Sequence, residues 1–558
     1  MRSTTSPPRH QHPTQHTDSS PVATEVVAPD KGTERLNTRA AGIISLAVMC
    51  SRVLGLARDQ LCAALFGAGA MDLFTVAFRI PNLLRDLFAE GALSTVFVTT
   101  FSKTIALEGD GAAWRLANKV ATLATLVLGA LCALGMVFSH QLVALLAPGF
   151  DAEKARLTAV LTRIMFPFIL MVSLAALVMG ILNAKSIFGR PAMASSFFNL
   201  GSIVGGVSLG AMIDPSFGPR ALIGLSVGTL IGGGLQLAVQ LPPLKSLGYG
   251  FRPDFEWRDR GVIAILALMG PAVIAASTTQ VNVLVNSMFA STLGSGAIFW
   301  LASAFRLMQL PLGLFGVALG TVTLPLLSRL VVANRLDAFR SELARALRLM
   351  FLLTIPSTIG LMMLADPIMS VLYQHGKFDA YEAMQAGGAL RFYAVGLAGY
   401  AALKVLVNAF YALDRRKTPM IVSFLAVGLN LLFNWLFTFH LGWGHRGLAF
   451  STGCVASCNF LLLYFLMHRQ LGNLESRRML LALVKIGIAG AVLAAVCWAS
   501  TRWLLPDWAT QAFWSKALAL FGTVLAAGIA FVAVAAALRL EELTSLLSVV
   551  ARRLRSAT

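Results

Sequence analysis

The chain has 558 residues, of which 57% are hydrophobic and only 13% are charged, and its mean hydropathy is +0.74. Because a soluble chain carries about 25% charged residues, this composition excludes a soluble globular protein and indicates a polytopic membrane protein. The formal net charge is +19, and a strongly positive charge is typical of nucleic-acid-binding proteins. Here the basic residues lie mainly in short loops between apolar stretches, where they set membrane topology, and we expect no nucleic-acid partner.

The first segment, residues 1–38, is rich in Pro, Ser, Thr and His and lacks the apolar core of a signal peptide. A segment of this composition buries too little apolar surface to fold alone. The sequence therefore predicts a disordered tail on the cytoplasmic side of the membrane.

Apolar runs of about twenty residues, the length that an α-helix needs to cross a bilayer, recur over the rest of the chain. The strands of a membrane β-barrel would instead alternate at every second residue, so the predicted fold is an all-α polytopic membrane protein. Gly, Pro and charged loops divide the runs into fourteen predicted spans. They are 40–66, 73–102, 116–146, 158–183, 192–213, 219–241, 262–292, 297–328, 345–368, 384–412, 419–440, 447–468, 480–503 and 513–538.

The loops between these spans differ in charge on the two sides of the membrane. With the N-terminus in the cytoplasm, the cytoplasmic loops and C-terminal tail contain 24 Lys and Arg residues, against seven on the opposite side. This asymmetry predicts that both termini are cytoplasmic. The loop 242–261 places Phe255 and Trp257 among charges, which predicts an interfacial helix.

Two stretches of the first half recur in the second half. Residues 78–102 resemble 305–328 at an offset of 227, and residues 168–191 resemble 393–419 at offsets of 225 to 228. These matches predict that spans 1–6 and 7–12 are two six-helix lobes related by a parallel repeat, with a binding site between them. The predicted domains are the tail 1–38, the N-lobe 39–241, the linker 242–261, the C-lobe 262–468, and 469–558 with spans 13 and 14 and a cytoplasmic tail.

Spans 1, 2 and 8 carry arginines, although each charge opposes insertion by roughly 2.5–3.5 kcal/mol. They are Arg52, Arg58, Arg79, Arg85 and Arg306. Arg306 is the repeat equivalent of Arg79. Because guanidinium groups bind phosphate in a bidentate manner and stay charged when desolvated, the arginines predict an anion site between the lobes. In the alternative interpretation they reach the cytoplasmic surface, or pair with acids such as Asp59 and Asp86 to fix the helices.

Five segments of the chain also carry a resemblance to a known family. They are SRVLGLARD (51–59), FGAGAMD (66–72), FRIPNLLRDLFAEGALS (78–94), FRLMQLPLGLFGVALGT (305–321) and YQHGKF (373–378). The chain resembles the MurJ/MviN family, the bacterial lipid II flippases of the multidrug/oligosaccharidyl-lipid/polysaccharide exporter superfamily, over roughly residues 40–540. The first two spans are the specific part of the match.

The resemblance implies a cationic cavity through which lipid II, the undecaprenyl-pyrophosphate-linked peptidoglycan precursor, passes to the outer leaflet of the bacterial cytoplasmic membrane. The substrate-binding arginines that it implies are Arg52, Arg58, Arg85 and Arg306. Together with the repeat, it makes the expected cavity or gate residues Asp59, Asp72, Arg79, Asn82, Glu90, Gln309 and Lys404. Spans 13 and 14 would hold the lipid tail beside a lateral opening. Membrane lipid and other cell-wall synthesis proteins are further candidate partners.

The chain departs from the family pattern at two places. Gln309 stands where many relatives have an acid three residues after the span-8 arginine. Some relatives use acidic ligands for a sodium site in the C-lobe, whereas this chain offers the uncharged Asn286, Asn430 and Asn434. We expect these amides to form interhelical hydrogen bonds rather than a cation site. Membrane potential or an ion remains open as the energy source, and no cofactor or metal is expected.

Two other functions are weighed against a flippase. A cation-coupled exporter of drugs, or of another polyprenyl-linked oligosaccharide, would belong to the same superfamily, but a drug pump is expected to present acids and aromatic rings rather than arginines. An intramembrane enzyme acting on polyprenyl pyrophosphate would need paired acids for a metal, or a nucleophile with its base. No loop offers either set, so the chain is predicted not to be an enzyme.

Overall fold

The computed structural model describes residues 31–86, 94–472 and 474–544. Over these residues the protein consists of helices and connecting loops, and contains no strand. The all-α prediction is therefore confirmed. The α-helices are α1 Lys31–Arg85, α2 Ser94–Glu108, α3 Asp110–Val137, α4 Ser139–Leu146, α5 Ala152–Met165, α6 Phe168–Ala184, α7 Gly189–Ile213, α8 Leu222–Ala238, α9 Leu241–Ser246, α10 Arg260–Ser291, α11 Ala297–Pro311, α12 Val317–Val332, α13 Leu336–Met363, α14 Ala365–Tyr373, α15 Ala380–Val395, α16 Leu397–Ala412, α17 Lys417–Asn434, α18 Gly444–Leu471, α19 Ser476–Trp503 and α20 Phe513–Ala537.

The first helix, α1, is 55 residues long and is broken at Gly67. Gly67 has φ 75° and ψ 166°, a conformation that a side chain rarely permits. The break separates a first arm, residues 31–66, from a second arm, residues 68–85. Predicted span 1 ends in the first arm and predicted span 2 begins in the second.

The number of membrane spans differs from the prediction. By length and apolarity, eleven helical segments of the described residues can cross a membrane, or twelve when α15 and α16, bent by 41°, are taken as one span. The difference arises partly because α1 carries two predicted spans in one broken helix. Helix α10 is not among the eleven. Its apolar part, Arg260–Gly270, is shorter than a membrane span. The count of fourteen stays a prediction.

The predicted duplication is visible in side-chain contacts. The rings of Phe78 and Phe168 lie 5.2 Å apart at 53°, and their repeat equivalents, Phe305 and Tyr393, lie 5.3 Å apart at 58°. Both pairs join the second predicted span of a lobe to its fourth predicted span. The same ring contact therefore stabilises both lobes.

A second contact recurs at offsets of 228 residues for the arginines and 226 for their partners. Arg163 Nε donates to the backbone oxygen of Met136 at 3.2 Å, and Arg391 Nε donates to that of Met362 at 3.3 Å. Arg163 of α5 thus binds the C-terminal end of α3, and Arg391 of α15 binds that of α13, where carbonyl groups lack helical partners. A contact repeated with the same atoms supports the two-lobe architecture.

The last two helices, α19 and α20, pack against each other and against α13 of the second lobe. Their attachment includes the buried Arg348 of α13, which contacts Glu475 at 2.8 Å and Glu542 at 2.5 Å. Bonds from the Arg348 side chain lower the pKa of Glu475 against the opposing effect of burial. The predicted domain boundaries themselves stay a prediction.

The predicted interfacial helix in the linker 242–261 is wrong. An irregular segment runs from the end of α9 at Ser246 to Asp259, and α10 begins at Arg260. The segment is held to α3 because Lys119 Nζ donates to Glu256 at 2.5 Å and to Asp259 at 2.8 Å, and the bond from Lys119 lowers the pKa of Asp259. Side-chain contacts with α3, rather than a helical repeat, fix this segment, while Trp257 stays 54% exposed.

Helices α7 and α8 of the N-lobe pack closely against each other. Gly224, Gly228 and Gly232 occupy one face of α8, the small-residue spacing that favours close approach. A methyl group on Gly228 would overlap the backbone of Gly206 on α7, and one on Gly224 would overlap Gly210. The two backbones touch at these positions.

We predict that Gly228→Ala lowers the free energy of unfolding by about 1–3 kcal/mol, the range for overpacking a tight contact. The measurement is the midpoint of thermal unfolding in detergent. The matched control is Gly234→Ala on the same helix, where an added methyl group meets no atom within 4 Å. Equal midpoints for the two variants would contradict the predicted backbone contact.

Candidate anion-binding site between the lobes

Two of the predicted arginines meet at one carboxylate. Arg58 Nη2 lies 3.0 Å from Asp59 Oδ1, and its Nε lies 3.2 Å from the same oxygen. Arg306 of α11 pairs with the other oxygen, Asp59 Oδ2. Because α1 and α11 belong to different lobes, Asp59 connects the lobes through charge.

The surroundings of this ion group bury Asp59 and Arg58 in part and leave Arg306 accessible. Asp59 is 9% exposed, and a carboxylate so buried needs a cationic partner. Arg58 lies over the Phe198 ring at 5.4 Å, within cation–π distance. The Arg306 side chain is 44% exposed. Because two guanidinium groups share one carboxylate, the three side chains together carry a net positive charge, and Arg306 is their accessible member.

Two further cations approach a π-helical turn that follows α11, Leu312–Gly316. A methyl group placed on Gly313 would lie 2.8 Å from Arg52 Nη1, and one on Gly316 would lie 3.4 Å from Lys404 Cδ. Arg52 and Lys404 are both exposed. Turns of this kind are frequent at functional sites, and this one brings cations of α1 and α16 to the end of α11.

Arg85 belongs to a second charged group, near the end of the second arm. Its Nη2 lies 2.8 Å from Asp86 Oδ1. Asp86 Oδ2 accepts from Asn82 at 3.5 Å and from Gln280 of α10 at 3.3 Å. The acid–arginine pairing that the sequence left open as an alternative is therefore present at Arg58 and at Arg85.

The remaining predicted cavity residues are placed differently. Among the described residues, the buried Nε of Arg79 has no hydrogen-bond partner, whereas its repeat equivalent, Arg306, is paired. Gln309 is exposed on α11, about one turn after Arg306. Glu90 lies outside the described residues.

Asp72 caps a helix of the other lobe. Its carboxylate, 2% exposed, accepts from the backbone N–H groups of Gly296 at 2.5 Å and Phe299 at 2.7 Å. These groups lie at the start of α11, where N–H groups lack helical partners and a negative charge is favoured. Asp72 also lines a cavity of about 210 Å³ together with Lys154. The sequence points to Asp72 only through the family resemblance, because its partners lie more than 220 residues away.

The three asparagines of the C-lobe form the predicted hydrogen bonds. Asn434 Nδ2 donates to Asn286 Oδ1 at 2.8 Å and to Asn430 Oδ1 at 3.0 Å. Asn286 Nδ2 donates to Thr452 Oγ1 at 3.2 Å. Within the described part of the chain, no three His, Cys, Asp or Glu side chains are grouped as metal ligands. The amides join α10, α17 and α18.

Two residues at the Asp72 end of the lobes are not among the predicted site residues. Glu382 and Lys377 bind backbone atoms of the other lobe. Their partners are main-chain groups, at a break in α1 for Glu382 and in the turn 214–218 for the Lys377 side chain, and no motif in the sequence marks such groups. Only the YQHGKF segment, which includes Lys377, stands out through its family resemblance.

Residues 62–534 match the family model described as lipid II flippase MurJ. The lipid II flippase MurJ of Burkholderia cenocepacia is 37% identical over 439 residues, covering 77% of this chain and 84% of that protein. The probable lipid II flippase MurJ of Vibrio cholerae is 35% identical over 497 residues, covering 86% and 92%.

Solved structures give a similar result. A lipid II flippase MurJ in an inward closed conformation superposes with a TM-score of 0.69 at 25% identity, covering 87% of this chain and 97% of that one. An inward-facing multidrug resistance transporter of the MATE family, in the MOP superfamily, superposes with a TM-score of 0.60 at 14% identity, covering 78% and 95%. The second likeness concerns the fold alone.

We predict that Asp59 and Arg306 are energetically coupled. In a double-mutant cycle with Asp59→Ala and Arg306→Ala, the coupling free energy should fall between about 0.5 and 3 kcal/mol. The cycle is measured by thermal unfolding in detergent. The exposed pair Asp414–Arg416, with side chains 88% and 78% exposed, is the control cycle. Its coupling should be at most about 1 kcal/mol, and additive effects at Asp59 and Arg306 would contradict the pairing.

Proposed function

Because the chain belongs to the lipid II flippase MurJ family, we propose that it moves lipid II from the inner to the outer leaflet of the bacterial cytoplasmic membrane by alternating access of its two lobes. The family consists of transporters rather than enzymes. The protein is a multi-pass protein of that membrane, and lipid II is its substrate. We propose further that both termini are cytoplasmic, on the basis of the loop charges.

One observation carries the assignment of the binding site: Arg58 and Arg306, from different lobes, share the single carboxylate of Asp59. A pyrophosphate has several anionic oxygens and accepts bidentate bonds from guanidinium groups. In the proposed site, the pyrophosphate binds Arg306 and Arg52, with Arg58 and Arg85 completing the set. The sugar–peptide head group fills the space between the lobes, and the polyprenyl tail stays in the lipid.

Charge balance supplies a reason for the substrate to change the conformation. The accessible cations Arg52, Arg306 and Lys404 repel one another when no anion is present. A bound pyrophosphate neutralises them and favours the conformation in which the lobes approach around it. A ligand shifts a conformational equilibrium only through such a difference in affinity for the two states.

A cation-coupled drug exporter is the second candidate, favoured by the fold shared with the multidrug transporter. The arginines oppose it because they would repel cationic drugs. Drug-stimulated transport without dependence on lipid II would support this second candidate.

We predict that Arg52→Ala and Arg306→Ala each abolish flipping of labelled lipid II in proteoliposomes and the support of cell-wall synthesis in cells. The loss follows from removal of a bidentate phosphate ligand, and Arg306→Lys should restore only part of the rate because a lysine supplies a point charge. Arg416→Ala, at an exposed position, is the control. Equal amounts in the membrane must be verified for each variant, and full activity of both Ala variants would refute the proposed site.

We predict that flipping does not depend on sodium through the C-lobe asparagines. Asn434 donates to the oxygens of Asn286 and Asn430, and the three amides bring no negative charge for a cation. Replacing sodium by potassium in the proteoliposome assay, at a fixed membrane potential, should leave the rate unchanged. A rate that falls when sodium is removed and recovers when sodium is added back would contradict this prediction.

A further inference from the structure

The break in α1 leaves main-chain groups without helical partners. At Gly67 the first arm ends and the second begins, so carbonyl groups before the break and N–H groups after it cannot bond within the helix. In the interior of a membrane protein such groups need other partners, because an unsatisfied main-chain group there costs several kcal/mol. The partners at this break come from the other lobe.

The C-lobe segment 374–382, which connects α14 to α15 and includes the first turn of α15, supplies both kinds of partner. The backbone N–H of Lys377 donates to the Ala64 oxygen at 2.7 Å. The Glu382 carboxylate accepts from the Ala68 N–H, with its two oxygens at 3.0 and 3.2 Å. One segment thus caps the C-terminal end of the first arm and the N-terminal end of the second.

The same segment reaches a turn of the N-lobe at residues 214–218. Lys377 Nζ donates to the backbone oxygens of Ser216 at 2.7 Å and Phe217 at 3.0 Å. The turn is stabilised by Asp214, which accepts from the backbone N–H groups of Ser216 and Gly218. Lys377 therefore binds carbonyl groups that are already held in place.

The approach of the segment to α1 is close enough to demand glycine. A Cβ on Gly376, which has φ 56°, would overlap the Ala64 carbonyl. A Cβ on Gly67 would lie 3.4 Å from the backbone oxygen of Lys377. Backbone therefore packs on backbone at the break, and the two lobes must separate for these contacts to open.

We infer that Glu382 and Lys377 are positioning residues that close one end of the molecule by capping the break in α1. We call this end, where residues 64–68, 214–218 and 374–382 meet, the latch end. This inference rests on the proposed function in one respect: alternating access requires the latch end to open. By the loop charges it is the extracytoplasmic end, so the caps favour the inward-open state when no substrate is bound.

The caps also fix the direction of the first arm, which carries Arg52 and Arg58. The arms meet at a single residue with a conformation that favours glycine, and contacts from the C-lobe hold the Ala64 carbonyl before it and the Ala68 N–H after it. When the latch end opens, both contacts are lost together. The orientation of the arginine-bearing arm is therefore coupled to closure of the far end.

The test measures the distance between the lobes at the latch end, without lipid II. In a variant lacking the six native cysteines, Ala152→Cys and Tyr381→Cys receive spin labels, and double electron–electron resonance gives the distance distribution in nanodiscs. Glu382→Leu should raise the ratio of open to closed populations about tenfold, as expected for loss of a hydrogen bond to a charged group. Lys377→Met should shift the ratio in the same direction.

Glu382→Gln provides the conservative rescue, because its amide oxygen still accepts from the Ala68 N–H, and it should recover part of the closed population. Glu153→Gln, an exposed acid near the same end, is the control and should leave the distribution unchanged. Thermal unfolding of each variant identifies any that fail to fold. If folded Glu382→Leu and Lys377→Met both keep the wild-type distribution, the inference is wrong.

The distance measurement contains no substrate, so its result is independent of what the protein transports. If the variants shift the distribution but the protein does not flip lipid II, the inference about Glu382 and Lys377 holds and the proposed function is wrong. If the distribution is unshifted in a protein that flips lipid II, the proposed function holds and the inference is wrong.

Discussion

The ion group of Asp59, Arg58 and Arg306 is the constraint on which the two-lobe arrangement depends. A single arginine within an apolar helix opposes membrane insertion, and this chain has several on neighbouring helices. One carboxylate between two guanidinium groups offsets much of that cost and ties α1 to α11. The lobes are therefore joined at the position where the substrate is proposed to bind.

Much of the architecture follows from the sequence because it depends on local periodicity and repetition. The apolar runs predict the helices, and the 227-residue offset predicts equivalent contacts such as those of Phe78 with Phe168 and Phe305 with Tyr393. The prediction of a helix in the linker 242–261 was wrong for a local reason. Lys119 holds Glu256 and Asp259 through side-chain bonds that no helical pattern encodes.

The candidate site was predictable only in part. Residue type singles out Arg52, Arg58 and Arg306, because charge is rare in apolar spans. Residue type does not show which groups these residues contact. The helix break occurs at Gly67, which is one of 48 glycines in the chain, and nothing in the sequence distinguishes it from the others. The caps at its two ends come from Lys377 and Glu382, more than 300 residues away along the chain. Main-chain groups carry no sequence signature, so contacts made to them become visible only in three dimensions.

The two interpretations of the arginines, pairing with acids and binding an anion, are compatible in this geometry. Asp59 satisfies Arg58 and Arg306 while no substrate is present, which keeps two cations stable in an apolar protein. A pyrophosphate offers more charge and more acceptor oxygens than one carboxylate, so it can replace Asp59 as the partner of Arg306. Exchange of that partner changes the contact between α1 and α11. The first arm of α1, which carries Arg52 and Arg58, also ends at the capped break, so this arm takes part in two contacts with the other lobe.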